Sequence, residues 1–226
     1  MFKSYRPLIV ELSKNDLELG LASQEANADA VMLQVLSQKQ SYVMGGLEEE
    51  LENVQNALAK ISIKKGLLMG DVRSINKDEW EQIKKLGFDF FSVYPRTAPS
   101  FILESRTPKL INVQTGLPIE YYRALSHISS VEGFVFTSSN QNKLEPSINF
   151  VDLAVLEILT TNLAKPVYLR LNAELDEREL RAVLERGIYG LILDPYDMGV
   201  IDPIELKEII TNYKKLMEKS EYKIWM

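Results

Sequence analysis

Three acidic residues and one arginine lie next to or within runs of apolar residues. Glu11, Asp71 and Asp194 each follow an apolar run, and Arg170 lies within another one. Carboxylates act as general acids and bases, and the planar guanidinium group of arginine binds carboxylates and phosphates. These residue types indicate acid–base chemistry on an anionic substrate, with Glu11, Asp71 and Asp194 as the candidate catalytic residues and Arg170 as the anion clamp.

Other polar residues near the ends of apolar runs complete the expected site. We expect Asn172, Gln114 and Tyr94 to orient the substrate. Arg73 and Arg96 follow two consecutive apolar runs, and together they could bracket a carboxylate or a phosphate. The alternative for this pair is that each is an ordinary exposed loop arginine.

The elements that position these residues are eight apolar runs, each followed by a charged amphipathic stretch. The predicted strands are residues 7–12, 29–35, 66–72, 88–94, 109–114, 132–137, 166–172 and 189–194. This alternation predicts a parallel sheet covered by helices, and eight units are enough to close it. We therefore predict an α/β protein with one domain, residues 1–226, folded as a (β/α)8 barrel of the TIM type. A doubly wound open sheet is the alternative.

The fourth unit is predicted to be irregular. Only residues 98–105 are available for its helix, and Pro108 would end it. We expect a short or irregular fourth helix in an otherwise regular barrel.

Side chains alternate between the two faces of a strand, and the outer face of each barrel strand packs on helices. Polar residues at alternate positions should therefore point into the barrel. This test selects Glu11, Gln34, Asp71, Ser92, Tyr94, Asn112, Gln114, Tyr168, Arg170, Asn172 and Asp194. In a closed barrel strand 8 lies between strands 7 and 1, so Arg170, Asp194 and Glu11 should converge.

Two interpretations of this convergence remain open. In the first, Arg170 is held by Glu11 or Asp194 in a structural network, because a buried charge is costly unless it is paired. In the second, Arg170 binds a substrate anion and tunes a nearby acid, at the strand ends where barrel enzymes place their chemistry.

The composition excludes several classes of function. The chain has no cysteine and one histidine, His127, so thiolate chemistry, cysteine-bound metals and histidine triads are not expected. The net charge is −6 with acids and bases interleaved, which argues against a nucleic-acid partner. The sequence shows neither a membrane span nor a secretion signal, so no membrane partner and a cytoplasmic location are expected.

No cofactor is predicted. The turns after strands 7 and 8 contain one glycine, Gly199, together with Glu174 and Asp197, which would repel a phosphate. Mg²⁺ remains an option because Glu11, Asp71 and Asp194 would offer it carboxylates, although no spacing requires a metal.

The leading hypothesis is an acid–base enzyme, a lyase or isomerase, acting on a small anionic metabolite at the carboxyl-end mouth of the barrel. The rival is a non-catalytic barrel, a binding or assembly protein whose polar interior is structural. The apolar tail, residues 222–226, must either fold under the barrel floor or cover a partner subunit. In the second case, which favours the rival, a homodimer through this tail is expected.

Overall fold

The computed structural model of the chain is a closed barrel of eight parallel strands, in which each strand pairs with the next and the last pairs with the first. The structure describes residues 6–38, 43–70, 72–114, 116–138 and 147–221. The strands are β1 (Leu8–Glu11), β2 (Ala30–Val35), β3 (Lys64–Met69), β4 (Phe90–Val93), β5 (Lys109–Asn112), β6 (Val131–Thr137), β7 (Val167–Leu171) and β8 (Gly190–Leu193). The predicted (β/α)8 barrel is confirmed, and the open-sheet alternative is wrong.

Helices cover the outside of the barrel. They are α1 (Leu17–Glu25), α2 (Leu47–Lys60), α3 (Lys77–Lys85), α4 (Ile119–Leu125), α5 (Phe150–Asn162), α6 (Glu177–Glu185), α7 (Pro195–Met198) and α8 (Pro203–Glu221). Reciprocal capping boxes start α3 and α6, where Asn76 pairs with Glu79 and Asp176 with Glu179. None of the helices in the described part of the chain has the length and apolar character needed to cross a bilayer.

The fourth connection is irregular, as the sequence predicts. Between β4 and β5 the chain forms only a 3₁₀ helix, Ser100–Glu104. The third strand differs from its expected position, because β3 begins at Lys64 and ends at Met69. The two lysines at its start were expected to precede the strand. They instead form its first two residues, and both are partly buried. Lys65 Nζ donates to the carbonyl oxygen of Ile61 at 2.9 Å.

The barrel interior has an apolar layer below a polar one. The apolar layer consists of Ile9, Ala30, Met32, Leu68, Phe90, Leu110, Val135, Tyr168 and Ile192. Two residues further along six of the strands, the next inward positions are Glu11, Gln34, Ser92, Asn112, Arg170 and Asp194, which we call the polar layer. All six are buried, and the most exposed of them is Arg170 at 4%. The polar layer therefore closes the interior at the carboxyl ends of the strands.

Candidate functional site

An ion pair between Arg170 and Glu11 forms the centre of the polar layer. Arg170 Nη2 on β7 lies 2.7 Å from Glu11 Oε2 on β1, and both side chains are almost completely buried. On its other side, Arg170 Nη1 donates a hydrogen bond of 3.3 Å to Tyr94 Oη. Three residues that the sequence predicts to share a site are thus in direct contact.

The charge of Arg170 is stabilised by its surroundings. Burial alone would lower the pKa of Arg170, because it penalises the charged form. The electrostatic attraction of Glu11, Tyr94 and Asp194 outweighs this penalty and raises the pKa of Arg170 above its usual range. A permanently charged guanidinium group therefore lies beside the carboxylate of Glu11 and in the field of Asp194 at the carboxyl ends of the strands.

Neighbouring polar groups fix the carboxylate of Glu11. Gln34 Nε2 donates to Glu11 Oε1 at 2.9 Å, and the carbonyl oxygen of the same Gln34 amide accepts a 2.6 Å hydrogen bond from Ser37 Oγ. Glu11 consequently has Gln34 at one oxygen and Arg170 at the other. This arrangement holds the carboxylate, and with it the guanidinium group, in one orientation.

Asn15 supports this arrangement from the loop after β1, and the sequence analysis missed it. Its side-chain amide accepts from Gln34 N at 2.7 Å and donates to Gln34 O at 2.9 Å, as a neighbouring strand would. The backbone of Asn15 is left-handed, with φ of 53°. Asparagine is one of the few residues that adopt this conformation readily, so an asparagine just after a strand was the available signal.

Asp194 lies at the carboxyl end of β8 and has a structural role. Its carboxylate accepts from Asp197 N at 3.2 Å and so caps α7. Asp194 is fully buried, and it contributes to the electrostatic field at Arg170. Strand β8, which carries Asp194, pairs with the strands of both Arg170 and Glu11, as closure of the barrel predicts.

Besides Glu11 Oε2 and Arg170 Nη2, which meet in the ion pair, the polar layer contains two buried side-chain atoms that lack a hydrogen-bond partner among the described residues. They are Arg170 Nε and Asn112 Oδ1. The Asn112 amide is fixed in this orientation because its nitrogen donates to Val93 O and Ser92 Oγ, both at 3.0 Å. An unsatisfied buried polar atom costs about 1–3 kcal/mol, so two of them in one layer are unusual in a purely structural core.

The remaining predicted site residues have partners above the layer or away from it. Asn172 Oδ1 accepts from Ser138 Oγ at 2.8 Å, and Gln114 Oε1 accepts from the backbone nitrogen of Arg96 at 3.4 Å. Arg96 Nη2 donates to Gly116 O at 3.3 Å. Asn172, Gln114 and Arg96 therefore lie in the loops around the mouth. Asp71, the third predicted catalytic acid, lies outside the described residues.

Arg73 is bound by a glutamate of α3. Its two terminal nitrogens donate to the two carboxylate oxygens of Glu79 at 2.9 and 2.7 Å. The hydrogen bond to Glu79 raises the pKa of Arg73, and the same bond lowers the pKa of Glu79. The predicted bracket of an anion by Arg73 and Arg96 would require Arg73 to exchange this bidentate partner for the substrate.

Within the described part of the chain, no group of three acidic or histidine side chains is arranged to hold a metal ion. Of the three carboxylates considered for Mg²⁺, Glu11 is paired with Arg170, and Asp194 caps a helix.

Comparison with solved structures finds many barrels of the same architecture. A mutant tryptophan synthase alpha-subunit from Pyrococcus furiosus superposes with a TM-score of 0.66 at 14% identity, covering 93% of this chain and 98% of that one. The likeness is one of fold. Thiamine phosphate pyrophosphorylase from the same organism gives a TM-score of 0.63 at 12% identity and covers 96% of both chains.

Phospho-2-dehydro-3-deoxyheptonate aldolase from Thermotoga maritima gives a TM-score of 0.68 at 15% identity, covering 96% of this chain and 71% of that one. No family model and no curated protein matches the sequence. The structural neighbours are thus TIM-barrel enzymes, and identities this low establish the shared fold alone.

Proposed function

We propose that the chain is an acid–base enzyme, a lyase or isomerase, that acts on a small anionic metabolite at the carboxyl-end mouth of its barrel. The observation that carries this proposal is the polar layer, in which Arg170 is paired with Glu11 and lies in the electrostatic field of Asp194. Barrel enzymes use the carboxyl ends of their strands for catalysis. The neighbours named above, which include an aldolase and a synthase subunit, support this class of function.

The contacts suggest separate roles for the residues. Arg170 would attract the substrate anion, and Tyr94 and Asn172, which are only partly buried, would contact it from the mouth. Glu11 has a partner at each oxygen, so we assign it first to the positioning of Arg170. Asp194 and Asp71 are then the candidate groups for the proton transfer, and Gln114 and Arg96 belong to the loops around the substrate.

A thermal-unfolding screen tests the proposal. Phosphate, sulfate, malonate, pyruvate and glycerol 3-phosphate are suitable probes for the wild type, for Arg170→Met and for the matched control Arg181→Met, at an exposed arginine of α6. We expect at least one anion to raise the melting temperature of the wild type and of Arg181→Met, but not of Arg170→Met. Tyr94→Phe provides a second variant if Arg170→Met fails to fold, and it should weaken the same response.

The proposal is wrong if no anion stabilises the wild type, or if an anion stabilises Arg170→Met as strongly as the wild type. That result would favour the second candidate, a non-catalytic binding or assembly barrel. The specific observation in its favour is the almost complete burial of the polar layer, in which Glu11 and Arg170 already satisfy one another. Replacing both residues with apolar ones should then leave the function of the protein intact. The C-terminal tail, residues 222–226, through which a homodimer of such a barrel is expected, lies outside the described residues.

A further inference from the structure

Strand β6 differs from its neighbours near the level of the polar layer, because its inward side chain there is exposed. Val135 belongs to the apolar layer of the interior. Side chains alternate along a strand, so Thr137, two residues further on, also points into the barrel. The six residues of the polar layer are buried, whereas Thr137 is exposed. The mouth of the barrel is therefore open to solvent at the end of β6.

The two buried atoms without a partner lie on the strands that flank β6. Thr137 pairs in register with Arg170 on β7, and Val135, one inward position earlier, pairs with Asn112 on β5. Arg170 Nε and Asn112 Oδ1 lack a hydrogen-bond partner among the described residues. Both side chains are buried, at 4% and 2% exposure. An unpartnered donor and an unpartnered acceptor thus lie to either side of the strand at which the mouth is open.

The other contacts of the two side chains hold these atoms in place. Asn112 Nδ2 donates to two acceptors on β4 at 3.0 Å, so Oδ1 lies on the side of the amide away from β4. The ion pair with Glu11 and the hydrogen bond to Tyr94 hold the guanidinium group of Arg170 by its terminal nitrogens. Neither side chain can turn to find another partner without breaking these contacts, and a lost contact in a buried network is costly.

The chemistry of the two atoms specifies a ligand. A group that satisfies both must accept a hydrogen bond from Arg170 Nε and donate one to Asn112 Oδ1. An ionised carboxylate accepts but does not donate, so a plain anion would leave Asn112 Oδ1 unsatisfied. An ammonium group would donate, but it would lie beside the guanidinium group and be repelled by it. An anion that carries a hydroxyl group close to its charged group meets both requirements.

We propose that the mouth of the barrel selects hydroxylated anions. An anionic oxygen accepts from Arg170 Nε, the neighbouring hydroxyl donates to Asn112 Oδ1, and the hydroxyl of Thr137 contacts the ligand at the opening. Asn112 and Thr137 are then specificity-determining residues. This inference rests on the proposed function, because it names the substrate class of the same site. A site that hydrogen-bonds a hydroxyl rejects the analogue without it, since its own buried polar atom is then left unpaired.

Isothermal titration calorimetry with matched pairs of anions tests this inference on the full chain. Lactate is compared with propionate, malate with succinate, and glycerol 3-phosphate with propyl phosphate, so the members of a pair differ only in their hydroxyl groups. We expect the hydroxylated member of at least one pair to bind the wild type at least about 10-fold more tightly. The carboxylate and phosphate pairs together show which anionic group the site takes.

Two variants assign the preference to its residues. Asn112→Leu removes the acceptor with little change in volume, and it should reduce the preference for the hydroxylated member to about 2-fold or less. Thr137→Val changes an exposed side chain to one of the same shape, so the fold should persist even if Asn112→Leu does not fold. It should weaken binding of the hydroxylated member about 3-fold or more. The matched control is Thr161→Val, at an exposed threonine at the far end of α5, and it should leave both affinities unchanged.

The outcomes separate this inference from the proposed function. If no member of any pair binds the wild type, the proposed function fails and this inference fails with it. If anions bind but the hydroxylated and plain members bind equally well, the proposed function stands and the selection of hydroxylated anions is wrong. The selection is equally wrong if Asn112→Leu and Thr137→Val both keep the preference and affinity of the control.

Discussion

The guanidinium group of Arg170 and the carboxylate of Glu11 meet at 2.7 Å across the inner face of β8, which separates their two strands. The contact therefore spans the place where the last strand of the barrel pairs with the first. Both groups are buried, and Asp194 on the intervening strand adds a second carboxylate to the field at Arg170. The ion pair thus holds the central cation at the place where the barrel closes.

Removal of either partner should destabilise the protein, and removal of the arginine should cost more. Arg170→Met leaves Glu11 and Asp194 buried without their cation, whereas Glu11→Gln leaves Arg170 with Asp194 still nearby. We expect a loss of about 3–5 kcal/mol in the free energy of unfolding for Arg170→Met and a smaller loss for Glu11→Gln. Urea unfolding monitored by circular dichroism measures both.

The double variant Arg170→Met, Glu11→Leu is the control for this interpretation. It removes both charges, so it should recover much of the stability that Arg170→Met loses. If the double variant is as unstable as the sum of the losses measured for Arg170→Met and Glu11→Leu separately, the pair is not energetically coupled, and the assigned role of Glu11 is wrong.

Asn15 should stabilise the site through its side-chain amide as well as through its left-handed backbone. Asn15→Gly preserves the backbone conformation but removes the two hydrogen bonds to Gln34. Asn15→Ala removes the hydrogen bonds and also adds strain at φ of 53°. We expect losses of about 1–3 kcal/mol for Asn15→Gly and about 1 kcal/mol more for Asn15→Ala. Thermal unfolding of the two variants would contradict this if their stabilities were equal.

The sequence predicted the barrel and its inward residues because two simple periodicities govern them. Parallel strands buried on both faces are apolar runs, and alternation within each run assigned Glu11, Gln34, Ser92, Asn112, Arg170 and Asp194 to the interior. Strand β3 is an exception. Its inward side chain is Leu68, and the next inward position along the chain is Gly70, just after the strand ends. That glycine has φ of +37°, so the backbone turns there.

The partners within the site could not be predicted in the same way. Whether Arg170 pairs with Glu11 or Asp194 depends on side-chain reach across β8, and Asp194 is engaged by the start of α7. The bidentate contact of Arg73 with Glu79 depends on the path of the loop after β3. Alternation along a strand does not determine the geometry of such loops. The sequence also did not indicate the exposed apolar side chains of α5, Phe150 (91%), Val151 (67%) and Ile158 (49%), because an apolar helix normally indicates burial on every side.

Alanine substitutions at Gly190 and Gly20 form a matched pair. At Gly190 the added Cβ atom would meet the backbone, and at Gly20 it would meet a side chain. A Cβ atom at Gly190 would lie 2.5 Å from the backbone oxygen of Pro7, which already accepts a 3.0 Å hydrogen bond from Leu191 N. A Cβ atom at Gly20 would lie 2.5 Å from Ile61 Cδ1, the end of a flexible side chain.

Gly190→Ala should therefore lower the free energy of unfolding by about 1–3 kcal/mol or more, because the β1–β8 contact must separate. Gly20→Ala should be close to neutral, since alanine is favoured over glycine in a helix by about 1 kcal/mol. Urea unfolding of the two variants gives the comparison. If Gly190→Ala is as close to neutral as Gly20→Ala, the β1–β8 contact tolerates a displaced strand, and the prediction is wrong.

Lys109 should make the stability of the protein rise in mildly alkaline solution. Its side chain is fully buried, and its ammonium group donates to the carbonyl oxygen of Ser105, just after the 3₁₀ helix of the fourth unit. Burial lowers the pKa of Lys109 to about 8. In the unfolded chain the pKa of a lysine is about 10.4.

Below pH 8 both states carry the proton, and the folded state bears the full cost of the buried charge. Between about pH 8 and 10.4 the unfolded state binds more protons than the folded state, so stability rises with pH. Above this window Lys109 is neutral in both states, and the cost of the buried charge is gone. The whole change amounts to about 3 kcal/mol. Lys109→Met lacks the lysine amine but keeps every tyrosine. Across this pH window the unfolding free energy of the wild type should therefore rise by this amount relative to that of Lys109→Met. A difference that stays constant from pH 7 to 10.5, measured by urea unfolding at each pH, would show that Lys109 keeps its ordinary proton affinity in the folded barrel.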